Sequence, residues 1–165
     1  MKAKAYSTSA RTQIARLRHD LDELFKRAEK LDEADELTGD IYRYICIRVS
    51  GFLEQSLAHC ARSLCSQSSW GPTQRFALSW MNRTPNPRAE EILKFVQRFD
   101  DAWEAELRLV LDEDEHAQSI NALLGIRNDI AHGKNQGVSR GRTLDYYAIA
   151  DKVVDFLLEK FEPLK

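Results

Sequence analysis

The stretch from about Asp40, or slightly earlier, to about Gln67 constrains the fold most. Ile41, Tyr44, Ile45, Ile47, Val49, Phe52, Leu53, Leu57, Cys60, Ala61 and Leu64 cover much of a helical circumference. A helix apolar on so many sides belongs in the middle of other helices, and the rest of the chain supplies them. Ile14, Leu17, Leu21, Leu24, Phe25, Ala28 and Leu31 recur at three and four residues and predict a helix over Ala10 to Leu31, capped by Ser7, Thr8 or Ser9. Tyr147, Ala150, Val153, Val154, Leu157, Leu158 and Phe161 predict a last helix over Leu144 to Phe161, capped by Thr143. Between them, Phe76, Leu78 and Trp80 fit a short helix over 73–82. Asn86 as N-cap with Pro87 in the first turn starts another, carrying Ile92, Leu93, Phe95 and Val96. Asp100-Asp101 then breaks or bends it before Trp103, Leu107 and Leu111. With seven glycines and four prolines in 165 residues, the pattern predicts an all-α fold. We expect a bundle of four or five main helices in a single domain over 1–165.

Charge and cysteine usage narrow the function. A formal net charge of −2 argues against a general nucleic-acid coat, whose affinity rests on many phosphate contacts. It leaves room for an enzyme that grips RNA at one place. Cys46, Cys60 and Cys65 are odd in number and lack metal-ligand spacing, so reduced thiols in the cytoplasm are expected. No apolar region follows the N-terminal Met1–Tyr6, and no run reaches membrane-spanning length. The acidic run Asp112–Glu115 reads as a complement to the positive end of the helix that follows. Four successive residues on one turn cannot all face one ion, so neither a metal nor a cofactor is expected.

That following helix holds the most chemistry. On a wheel from Ile120 to His132, Ile120, Leu123, Leu124, Ile126, Ile130 and Ala131 share a broad apolar arc, and Arg127 falls inside it. A guanidinium there must reach out, pair with an acid, or meet another molecule. Beside the arc runs a row of Asn121, Gly125, Asn128 and His132, spaced as neighbours. Arg127 and His132 lie about 140° apart on an ideal helix, so the pair on one chain does not converge on one phosphate. Two copies packed along the row would bring both pairs together, which favours a symmetric dimer. Gly133 suits a left-handed residue just past the helix, leaving His132 where the dipole favours positive charge. An imidazole changes charge near neutrality, as acid–base chemistry on a ribose 2′-hydroxyl requires.

The segment Leu124-Gly125-Ile126-Arg127-Asn128-Asp129-Ile130-Ala131-His132-Gly133 resembles the Arg-x4–6-His motif of HEPN domains, in particular the RiboL-PSP-like branch. The resemblance implies a small all-α protein that dimerises with its site at the interface and cleaves RNA without metal. In that chemistry the 2′-hydroxyl attacks the adjacent phosphate and leaves a 2′,3′-cyclic phosphate. It casts His132 as general base or acid, Arg127 as stabiliser of transition-state charge, and Asn128 as a group that orients His132 or binds phosphate. Such proteins often serve as toxins or as effectors of defence against phage, restrained by an antitoxin or other regulatory partner. This chain departs from the toxin branch with Tyr two residues after the histidine, since Gly133-Lys134 follow instead.

Further candidates surround the motif. Lys134, Arg140 and Arg142 fall in a polar, glycine-containing connection within reach of the helix end and suit a phosphate backbone. Glu54 stands among apolar neighbours and needs a partner, for which Arg127 of the same or a second subunit is the candidate. Arg48, Gln55, His59 and Arg62 share one side of the central helix and offer a phosphate patch. Two other readings stay open: a non-catalytic HEPN dimer that binds RNA, nucleotide or a regulatory protein, and a helical interaction module in which Arg127 is structural.

Overall fold

The computed structural model describes residues 9–32, 35–81, 88–134 and 137–163. Across them the chain forms, in order, α1 (Ala10–Ala28), α2 (Glu36–Ser68), α3 (Gly71–Trp80), α4 (Ala89–Gln97), α5 (Asp101–Asp112), a 3-10 turn (Glu113–Glu115), α6 (His116–Ala131) and α7 (Arg140–Phe161). No strand occurs among the described residues, and five of the helices have 12 residues or more.

The apolar 33-residue helix α2 is central: α1, α7, α6 and α3 all pack on it. Ile45, Val49, Phe52, Leu53 and Leu57 are fully buried there. Tyr42 and Cys46 join them, while Tyr44 is 45% exposed, so the covered arc is turned slightly from the expected one. The helix starts four residues before Asp40, because Asp35 caps it by accepting from the Leu37 N–H at 2.9 Å. Aromatic stacking ties the layers, with Tyr147 of α7 lying on Phe25 of α1 at 5.4 Å and edge-on to Phe52 at 5.8 Å.

Polar contacts give the helix directions. Cys46 meets Thr143 and Ser63 meets Glu162, so α2 and α7 run parallel. Arg11 reaches Leu158, Arg18 reaches Asp151, and Arg140 reaches Glu29, so α1 runs antiparallel to α7. The ends of α1 and α7 cap each other. Ser9 occupies the N-cap of α1 but gives no side-chain cap; its hydroxyl donates to Glu162. The Glu162 carboxylate instead accepts from the Ala10 N–H at 2.7 Å and from Ser63 at 2.8 Å. In return, Arg11 donates to the carbonyls of Glu162 and Leu158 at the end of α7. Each charge faces the helix end that favours it.

Burial pushes the Glu162 carboxyl up, but the bonds from Ser9, Ser63 and Ala10 and the charge of Arg11 outweigh it and hold the group below its usual range. A carboxyl lowered in the folded state adds stability above its unfolded pKa of about 4.3 and loses it as pH falls through the folded value. Glu162→Gln is therefore expected to lower Tm at pH 7. The gap to wild type should shrink below about pH 4. Thermal melts across that range check this; a gap that widens on acidification contradicts it.

Other boundaries differ for local reasons. Helix α1 stops at Ala28, and Lys30 and Leu31 continue in three-residue turns that leave Leu31 40% exposed. Helix α4 starts at Ala89 with Arg88 in the N-cap position, so the expected Asn86–Pro87 start lies outside the described residues, as do Ser7 and Thr8. The break at Asp100-Asp101 is a full one: Asp100 caps a new helix by accepting from Ala102 and Trp103. Helix α7 begins at Arg140, not Leu144. Ser139, not Thr143, is its cap, accepting from the Arg142 N–H, while Thr143 is buried and donates to the Ser139 carbonyl. Ahead of α6, Asp114 and Glu115 both adopt positive φ, and no acidic side chain caps α6 by a hydrogen bond. The acidic run complements the helix end by charge alone. His116, buried at the first position of α6, ties it to α5 through a 2.8 Å bond from Nδ1 to the Val110 carbonyl.

Candidate functional site

The site forms at the C-terminal end of α6. The first half of α6 is anchored: Ile120, Leu123 and Leu124 are buried. Asn121, from the row assigned to a second copy, accepts from the Ala89 N–H at 3.1 Å and so caps α4 of its own chain. From Gly125 to Ala131 no side chain is fully buried, so Ile126, Arg127 and Ile130 are only half-covered. A Cβ at Gly125 would meet nothing within 4 Å. Among the described residues of one chain, no packing requires this glycine.

The helix ends as its sequence dictates. Gly133 takes φ +75°, in the left-handed region. Its N–H bonds the Ile130 carbonyl at 3.0 Å, and the Lys134 N–H bonds the Asp129 carbonyl at 2.9 Å. This pair of bonds is the Schellman arrangement. The Lys134 ammonium returns to Asp129 Oδ1 at 2.9 Å and closes the end from outside. His132 is thereby fixed as the C-cap residue, with its N–H shared between the carbonyls of Asn128 and Asp129 and its side chain exposed.

Arg127 is half-buried, and its Nη1 donates to Asn128 Oδ1 at 3.3 Å. The hydrogen bond the guanidinium makes runs to Asn128 and not to Glu54 or His132 of the same chain. Glu54 lies half-buried on α2. Arg127, Asn128 and His132 therefore share the last turns of one helix without converging on one point.

The connection to α7 divides the basic candidates. Val138 is buried and separates two clefts. On one side, Gly125 and Asp129 of α6 face Arg142 and Tyr146 of α7 across an open cleft of about 330 Å³. Arg142 Nε donates to the Tyr146 hydroxyl at 2.7 Å, and its guanidinium lies 5.7 Å from that ring's centre. On the other side, Arg140 faces Thr38 and Tyr42 and pairs with Glu29 at 2.8 Å. Both arginines sit in the first turn of a helix instead of a loop, and that turn points them apart. Tyr146 carries no role in the sequence reading, and Asp129 figures there only as part of the motif. The four-residue spacing of Arg142 and Tyr146 was the available signal.

The other proposed patch loses Arg48, while His59 stays close enough to Arg62 to feel its charge. Arg48 donates to the Tyr44 hydroxyl, while Arg62 donates to the Met81 carbonyl past α3. The two lie 14 residues apart on α2, about 21 Å along the axis, too far to share a phosphate. Among the described residues no helix is long and apolar enough to cross a membrane, and no three His, Cys, Asp or Glu side chains are grouped to hold a metal ion.

The family model described as RiboL-PSP-HEPN matches residues 13–163. No curated protein and no solved structure matches.

Proposed function

Starting from a chain that belongs to the RiboL-PSP-HEPN family, we propose that it is a metal-independent endoribonuclease acting as a homodimer. The observation that carries this reading is the incompletely covered end of α6, which holds Arg127 and Asn128 as a bonded pair on the same turns as an exposed His132. The half-buried Ile126 and Ile130 beside them support a second copy on this face. So does the unoccupied space over Gly125.

In this reading the ribose 2′-oxygen attacks phosphorus, the bond to the 5′-oxygen breaks, and the products carry a 2′,3′-cyclic phosphate and a 5′-hydroxyl. His132 takes the proton from the 2′-hydroxyl or supplies one to the leaving oxygen. Arg127 offers forked donors to the charge on the phosphorane-like transition state, and Asn128 holds that guanidinium in place. Arg142 flanks this end of α6 and suits a neighbouring phosphate better than Arg140 or Lys134, which are tied to Glu29 and Asp129. Glu54 of one copy is the acid proposed to orient Arg127 of the other. The activity serves, in the cytoplasm, as a toxin or an anti-phage effector under a protein regulator.

The direct test is incubation of purified protein with total tRNA and an unstructured RNA in EDTA. Cleavage by wild type supports the reading. RNA that is bound but unchanged in length moves it to a binding module. Gly125→Leu tests the interface separately. In a monomer the change stabilises a helix by roughly 0.8 kcal/mol. Against a partner it inserts a side chain into the contact. Sedimentation is expected to show a wild-type dimer and a monomeric, inactive Gly125→Leu variant; an unaffected dimer places the interface elsewhere.

A further inference from the structure

We infer that α3 is a stacking platform for unpaired RNA bases, set apart from the Arg127–His132 end of α6. The inference rests on the ribonuclease reading only in taking RNA as the substrate. Helix α3 buries none of its side chains. Trp70, at its N-cap, is 85% exposed, and Phe76 and Trp80 on the helix are 66% and 61% exposed. The short helix expected from Phe76, Leu78 and Trp80 is present, and the structure turns Phe76 and Trp80 outward. Their rings lie one turn apart, with centres 6.2 Å apart and planes at 58°. Tilted rather than stacked, each keeps a face open to solvent.

The helix does not need these rings to stay in place. Gln74 donates to the carbonyls of Ser66 and Ser69, and Arg62 donates to the Met81 carbonyl. Polar ties at both ends thus fix α3 to α2 and leave the aromatics free for another molecule. Exposed aromatics of this size on one short helix mark an interaction site.

Charge identifies the partner. The 35 residues from Gln55 to Ala89 contain no Asp or Glu, although the chain has 26. They contain four arginines, Arg62, Arg75, Arg83 and Arg88, in a protein of net charge −2. Exposed aromatic faces in a stretch that carries arginines and no carboxylate of its own suit a single strand whose bases stack and whose phosphates are negative. A second copy fits poorly, because pairing this face with itself would set arginine against arginine. Cys46 meets Thr143 at the level of the Arg142 cleft, and Arg62 lies 16 residues further along α2. The platform is therefore about 24 Å from the motif along the helix axis. It serves as a remote grip that selects RNA with unpaired bases.

The test uses the full chain with His132→Ala, so that RNA is not consumed, and adds Trp70→Ala, Phe76→Ala, Trp80→Ala or all three. Each protein is titrated with an oligouridylate and with a blunt RNA duplex, by filter binding and tryptophan fluorescence. Oligouridylate is expected to quench the two exposed tryptophans, while Trp103, packed on Phe161, reports little. Each aromatic removed should weaken oligouridylate binding roughly five- to a hundredfold, and the duplex should bind without quenching. Unchanged affinity of the triple variant overturns the inference. So does a triple variant that alters only the monomer–dimer balance, which would mark a protein-docking face. RNA cleaved by wild type together with unchanged binding by the triple variant sinks this inference alone. Aromatic-dependent binding without cleavage upholds it and sinks the ribonuclease reading instead.

Discussion

His132→Ala is expected to slow RNA cleavage roughly a hundred- to ten-thousandfold, the usual contribution of a positioned acid or base. Arg127→Ala is expected to cost roughly a hundred- to a thousandfold, as for one lost transition-state donor. Neither change should unfold the protein. The His132 side chain is exposed, and surface substitutions usually stay within about 0.5 kcal/mol. Among the described residues Arg127 donates a charge-assisted hydrogen bond to its neighbour Asn128, worth at most about 1.5–3 kcal/mol. Initial rates on one RNA and thermal melts of the same samples check both points. An Arg127→Ala protein that melts several kcal/mol lower would make this arginine structural and remove it from the chemistry.

Phe52→Ala is expected to cost about 3–5 kcal/mol, because truncating a buried phenylalanine leaves a cavity as well as losing apolar burial. The side chain is 1% exposed and lies at the junction of α2, α7 and α1, against the Tyr147 ring that stacks on Phe25. Proteins of this size have only about 5–15 kcal/mol in total, so Tm should fall by roughly 6–20 °C. Denaturant titration gives the free energy directly. A loss under 1 kcal/mol would mean that α2 is not the centre of the core.

The helices themselves were legible because their apolar residues repeat at three and four, and that repeat follows from helix geometry alone. The break at Asp100 and the left-handed stop at Gly133 were legible for a related reason: each depends on a few adjacent residues. What was hidden depends on contacts distant in sequence. Nothing near Ser9 announces that Glu162, 153 residues later, will satisfy the first turn of α1. The start of α7 was misplaced because Ser139 and Thr143 are both competent caps, and only burial of Thr143 decides between them. Arg140 and Arg142 look equivalent in sequence, yet the helix turn between them sends one toward Glu29 and the other to the motif cleft. The same limit applies to α3. Its aromatics fit a helix by pattern, and only the structure shows that Trp70, Phe76 and Trp80 stand exposed.

The measurement closest to the central claim is the chemistry of the RNA ends left by wild type and His132→Ala in EDTA. The account predicts 5′-hydroxyl and 2′,3′-cyclic phosphate ends from wild type, and at least a roughly hundredfold drop in cleavage by the variant over the same time. Cleavage by His132→Ala at close to the wild-type rate, or cleavage that leaves 3′-hydroxyl ends, would contradict it.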